Sequence, residues 1–158
     1  MSDNTEAENA YKGEVMIHQT DVFNLIQIVL DELEHRQATH DQSKLSKEEF
    51  TKYAEIVPQL KGLEFGSEEY KAKARELGPA LKHHLKNNRH HPEYFEKGVA
   101  GMHLLDVIEM VCDWSAVARA KGTDPRVGMK DYLFEKHGIT EPLATILLNT
   151  VDFLEKGD

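Results

Sequence analysis

An all-α fold is predicted by three features of this chain. Apolar residues recur at the three- and four-residue spacing of a helix face, and Ser, Thr, Gly and Pro fall where helices should start and stop. No stretch keeps the two-residue alternation of a strand. At 158 residues, with 40% hydrophobic and 30% charged side chains, the chain has the size and balance of one soluble domain with one core.

Residues 1–13 are polar and acidic and predict a flexible N-terminal tail, leaving 14–158 as a single helical domain. A first helix is expected over about 14–37. Its inward face holds Val22, Leu25, Ile26, Val29 and Leu33, and His18, four residues before Val22, shares that face. Ser46-Lys47-Glu48-Glu49 has the form of a capping box opening a helix through Phe50, Tyr53, Ala54 and Val57. Pro58, Gly62 and Gly66 mark the loop after it. Ser67 caps the next helix, whose first turn carries Glu68 and Glu69 where the macrodipole favours them.

Gly78-Pro79 ends that helix and starts another, with Leu81, His84, Leu85 and Asn88 on one side. His90-His91-Pro92-Glu93 turns the chain, and Gly98 and Gly101 close the connection. From about 102 to 120 a helix is apolar on nearly every side, which predicts a central position; Gly122 and Asp124-Pro125 stop it. A short helix over about 129–136 follows. A last one, capped by Thr140, turns Leu143, Ile146, Leu147, Thr150 and Leu154 inward. That last helix either closes the core or makes a homodimer contact.

The net charge of −9 argues against a nucleic-acid polymer as partner, which needs a basic footprint. A small anion stays open, because a bound metal reverses the local field. The single cysteine, Cys112, excludes a disulfide framework and fits a reducing compartment. The N-terminal residues lack the apolar core of a signal peptide, and no run is long enough to span a membrane, so a cytoplasmic protein is expected.

The chemistry of the chain lies in its histidines and in one acidic stripe. Seven of the nine histidines fall between His18 and His91. On the 102–120 helix, Asp106, Glu109 and Asp113 lie within roughly 60° of one another at about 100° per residue. A buried carboxylate is costly unless it is paired or coordinates a metal. Converging imidazoles and carboxylates are what a divalent transition metal needs. The alternative is an acidic face turned to solvent.

His84 shares the apolar side of its helix, and His91, seven residues on, shares it too if the helix continues; His83 and His90 pair in the same way. Either pair suits a second metal or the grip of a phosphate. Lys44 stands one turn after Asp41, where it meets an anion or faces solvent. Glu109, one turn before Asp113, is placed to orient an attacking water or a histidine behind the ligands. Arg36 and Arg89 are available to complement a phosphate, His103 borders the acidic stripe near a helix start, and His137 is expected at the surface.

An early-helix histidine (His18), the adjacent pair His40-Asp41 and the distant Asp113 resemble the pattern of the HD superfamily of metal-dependent phosphohydrolases. Lys44 completes His-Asp-x-x-Lys, and His83-His84 and His90-His91 precede a glycine-containing loop, as in its binuclear members. The stretches 83–93 and 108–114 look like one small branch of that superfamily. The interval from His18 to His40 is shorter than the pattern's, which leaves His35 as the alternative first ligand.

The resemblance covers about residues 14–120 and implies a compact helical bundle holding one or two divalent ions, of Mn, Fe, Zn, Ni, Co or Mg. It implies His18, His40, Asp41 and Asp113 on the first ion and His84 and His91 on a second. His83, His90 and Arg89 would meet substrate, and Lys44 and Glu109 would act catalytically. The expected reaction is hydrolysis of a nucleotide or other small phosphoester. An HD-type di-iron oxygenase and a non-catalytic metal- or nucleotide-binding module are the alternatives.

Overall fold

A computed structural model describes residues 2–64 and 66–156, and every regular element among them is helical. The chain divides into two units, one ending at Thr39 and one beginning at His40.

The first unit is one helix, α1 (Ser2–Thr39), of 38 residues. Residues 2–13, expected as a loose tail, are its first turns, and Met1 lies outside the described residues. The run contains no proline, and side-chain bonds one turn apart reinforce it: Gln27 donates to Asp31 at 2.7 Å and Arg36 to Glu32 at 2.7 Å. Its apolar side chains spread around the whole circumference. Of the expected inward face, Val22, Leu25, Ile26 and Val29 are exposed, as is His18, and Leu33 is half-buried. A lone helix has no second layer of its own on which to bury a stripe.

The second unit opens with a 3-10 turn, Gln42–Leu45, followed by α2 (Phe50–Leu60), α3 (Glu68–Arg75) and α4 (Gly78–Asn87). The helix α2 runs through Pro58 rather than stopping before it. Ser67 caps α3 as expected, its hydroxyl accepting from the Tyr70 N–H at 3.1 Å. The expected box at Ser46 does not form: Glu49 makes no capping bond, and the Ser46 hydroxyl is buried without a partner.

Two 3-10 turns, Pro92–Tyr94 and Gly98–Gly101, lead into α5 (Leu104–Ala120). Then α6 (Pro125–Gly128), a π-helical turn (Met129–Leu133) and α7 (Phe134–His137) run head to tail, so the expected short helix starts earlier, at a cap supplied by Asp124. Gly138, at φ 63°, ends α7 in the left-handed conformation that glycine adopts without penalty. The last helix is α8 (Leu143–Glu155).

Met110 and Val111 of α5, Met129, Leu133, Phe134 and Ile139 of the next segment, and Ala144, Leu147 and Val151 of α8 form the core. The buried face of α8 overlaps the expected one but is turned from it: Leu147 is inside, Leu143 packs on the core and Thr150 and Leu154 are half-buried, while Ile146 is exposed and Ala144 and Val151 take inner positions. Likewise α5 is not buried all round, since Leu104, Ile108 and Val117 are exposed. Its acidic face lies beside its core face, so one rigid helix joins the core to the functional side chains. No helix among the described residues is long and apolar enough to cross a membrane.

Candidate metal centre

The second unit gathers four imidazoles and three carboxylates beside α5. Asp41 stands where the chain enters the 3-10 turn, with φ 57° and ψ 12°, alone among described non-glycine residues in the left-handed region. Aspartate tolerates that region better than most residues, and strain of this kind gathers at functional sites. The conformation presents both carboxylate oxygens to histidines. Oδ1 is 3.3 Å from His84 Nε2 and 3.5 Å from His90 Nε2, and Oδ2 is 3.5 Å from His40 Nε2 and also takes the Lys44 ammonium.

His84 comes from α4, where it is buried. His90 and His91 come from the turn before Pro92, and their rings stand 4.1 Å apart. The Nε2 atoms of His84 and His91 approach to 2.9 Å. Asp41, His84, His90 and His91 each offer one donor atom, all within 4.8 Å of one another, and His40, His90 and Asp113 form a second such group.

These groups pass a test of fit for a divalent ion. Ligand bonds of about 2.0–2.2 Å place neighbouring donors roughly 3.0–3.5 Å apart, and the donor separations around His84, His91 and Asp41 fall at or close to that range. Asp41 Oδ1 and His90 Nε2 are buried with no hydrogen-bond partner, although such atoms are normally satisfied. The cluster could therefore hold a metal ion.

Two glutamates set the direction of the imidazoles. Glu109 Oε1 accepts from Nδ1 of His40 at 2.9 Å and lies 3.0 Å from Nδ1 of His90. Glu49, 0% exposed, spans two neighbours, with Oε1 at 2.7 Å from Nδ1 of His83 and Oε2 at 2.9 Å from Nδ1 of His84. A carboxylate on Nδ1 fixes the proton there and turns the Nε2 lone pair toward the ligand side, an arrangement that usually supports metal-binding histidines.

Without a cation, protons balance the site. Asp113 and then Glu109 push the His40 pKa up to about 10. Burial, with the charges of His90 and His84, pushes that of His91 down to about 2. Against the cost of burial, the neighbouring imidazoles of His84 and His90 and the Lys44 ammonium hold Asp41 well below the usual carboxylate range.

The signs predict a stability maximum near pH 6.5 in chelator-treated protein. Between about 6.5 and 2 the unfolded chain takes up a proton at His91 that the folded protein refuses. Between about 6.5 and 10 the folded protein keeps a proton at His40 that the unfolded chain has lost. Urea midpoints measured from pH 5 to 9 in EDTA should fall on both sides; a midpoint still rising above pH 7.5 would contradict this.

Among the expected ligands, the structure brings together His40, Asp41, His84, His91 and Asp113, and it adds His90, expected at the substrate. His18 is exposed on α1 and belongs to neither group, as does His35. Glu109 holds histidines rather than standing free as an acid, and Lys44 is held on Asp41. His83 points its Nδ1 to Glu49.

Arg89 does not reach the cluster. It makes a two-pronged pair with Asp106, 3.0 Å on each arm, and Asp106 is 0% exposed. Asp106 also accepts from the His103 N–H and completes a capping box at the start of α5, so it leaves the acidic stripe to Glu109 and Asp113. Arg89→Ala should cost about 2 kcal/mol by stranding a buried carboxylate, read by urea unfolding, with unchanged metal content. His137, expected at the surface, is half-buried and stacks on Trp114 at 5.7 Å.

Glu49 was not foreseen. Its signal is its place in the stride Glu49, Tyr53, Ile56, Leu60, which is the inner face of α2.

Residues 7–152 match a family described as a family of unknown function (DUF5662), and the chain belongs to that family. No curated protein and no solved structure matches it.

Proposed function

We propose that the protein is a metal-dependent hydrolase of a small phosphoester such as a nucleotide. One observation carries this reading: one donor atom from each of Asp41, His84, His90 and His91 lies within 4.8 Å of the others, and Asp41 Oδ1 and His90 Nε2 are buried there without a hydrogen-bond partner. A donor set rich in imidazole favours manganese, iron, zinc, nickel or cobalt over magnesium. When bound, such an ion supplies a lowered pKa for water and polarisation of a phosphoryl oxygen.

The protein's own groups do the rest. His84, His90, His91 and Asp41 hold the first position. His40, Asp113 and the second oxygen of Asp41 are arranged for another. His90 falls in both groups, yet its Nε2 can serve one ion at a time. Glu109 and Glu49 keep the imidazoles oriented, and the Lys44 ammonium, beside Asp41, is placed to leave that carboxylate for a phosphoryl oxygen.

The test is metal content after reconstitution, followed by phosphate release from nucleoside phosphates and p-nitrophenyl phosphate with each metal. Stoichiometric metal and oxygen-independent release are expected. Metal without turnover would reduce the protein to a binding module. Two irons with oxygen consumption would point to oxygenase chemistry instead.

A further inference from the structure

Beside the histidine cluster lies a cleft of about 1240 Å³. It is lined by α2, α3, the end of α5 and the segment around Tyr132. Its charge is opposite to that of the chain. Six cations line it, namely Lys44, Lys61, Lys71, Arg75, Lys121 and Lys136, against the carboxylate of Glu64 among the described lining residues, in a protein of net charge −9. Three of the six, Lys44, Lys71 and Lys136, also pair with Asp41, Glu68 and Glu93 outside the lining. Gathering like charges around a low-dielectric wall creates a strong local field for anions.

Three tyrosines stand among the cations. The Lys121 ammonium lies 4.3 Å from the Tyr70 ring centre, those of Lys71 and Lys136 lie 5.3 and 6.0 Å from Tyr132, and that of Lys44 lies 5.5 Å from Tyr53. Leucines, among them Leu60, Leu77 and Leu81, supply apolar wall. The cleft reaches the cluster twice: through Lys44, which is bonded to Asp41, and through a smaller cavity of about 270 Å³. That cavity shares Lys121, Lys136 and Val117 with the cleft and has His91 in its lining.

We propose that this cleft binds an organic phosphate carrying two or more phosphate charges on an aromatic body, with the phosphates on the lysines and the body against the tyrosine rings. An ammonium over a half-buried ring is held weakly, as are the surface pairs of Lys71 with Glu68 and Lys136 with Glu93, whereas a hydrogen bond to a phosphate is charge-assisted. The anion therefore draws the lysines off the ring faces and leaves those faces to the planar body. That the bound molecule is also the substrate rests on the metal-centre reading; binding in the cleft does not.

The experiment is a fluorescence titration of the full chain with mant-ATP in EDTA. Saturable binding is expected, displaced by ATP and only weakly by tripolyphosphate or adenosine, each of which supplies half of the recognition. The Lys71→Ala/Lys121→Ala double variant should lose roughly tenfold or more in affinity. Lys52→Ala, which removes an exposed lysine outside the cleft lining, should bind as the unaltered protein does. Absence of saturable binding, an equal loss in Lys52→Ala, or tripolyphosphate competing as well as ATP would overturn the proposal. The chelator makes the readout blind to metal, so a failure here leaves the metal centre standing, and a failure of metal content leaves this result standing.

Discussion

Asp41→Asn should remove stoichiometric metal while leaving the fold intact. Asparagine has the same shape and, like aspartate, tolerates the left-handed conformation that position 41 adopts. What it loses is the charge. The Nε2 atoms of His84 and His90 lose an anionic neighbour at 3.3 and 3.5 Å. The loss of metal affinity should exceed the roughly 10–100-fold expected when only an outer partner of a ligand is removed.

Asp41→Ala is the informative companion. It removes the same ligand but also forces a Cβ with no polar partner into the left-handed region, at a cost of about 1–2 kcal/mol. Metal content and thermal unfolding in EDTA should therefore separate the two variants: both free of metal and both without the ion pairs of the carboxylate, with the alanine variant the less stable of the two. An asparagine variant that keeps its metal would remove Asp41 from the ligand set.

Glu49→Ala should be the most destabilising single change in the site, by about 3 kcal/mol. It takes a fully buried carboxylate away from two imidazoles, that of buried His84 and that of half-exposed His83, and leaves a void in its place. Metal affinity should fall with it by roughly 10–100-fold, because only the neutral contacts of Ser43 and Asn88, each at 3.1 Å, are then left at His84 Nδ1. Glu49→Gln should be far milder. Its one carbonyl oxygen can serve His84, while the half-exposed His83 changes tautomer to meet the amide. Urea unfolding in EDTA and metal content read the two effects separately; a Glu49→Ala protein as stable as the unaltered one would show that the carboxylate is not held as described.

Sequence patterns gave good access to whatever is local. Caps such as Ser67, stops such as Gly122 and the apolar period of α5 depend on residues a few positions apart, and they are present in the structure. The chemistry of the donors was also readable, since a His-Asp pair and paired histidines have few other uses together. Most of what failed needed a partner distant in sequence, although the convergence of His40, Asp41, His84, His91 and Asp113 did not fail. His18 shared a stripe with apolar residues, but α1 forms a unit by itself and offers that stripe no layer of its own. The three acids of α5 had equal claims by helical angle, and only the position of Arg89, seventeen residues away, takes Asp106 out of the set. Glu49 was hidden because Ser46-x-x-Glu49 has a sufficient local explanation. The explanation was sound chemistry applied to a side chain that turns inward instead.

One oxygen atom would couple the filling of the two donor groups. Glu109 Oε1 faces Nδ1 of both His40 and His90, at 2.9 and 3.0 Å. A cation on the Nε2 side of either ring makes that ring's N–H more acidic and pulls the shared oxygen toward it. The other imidazole is then less well supported, and its Nε2 becomes a poorer donor. Occupancy on one side thus carries a penalty on the other, so loading should be negatively cooperative, with two resolved affinities rather than a single all-or-none step. Glu109 acts as a balance between the two rings.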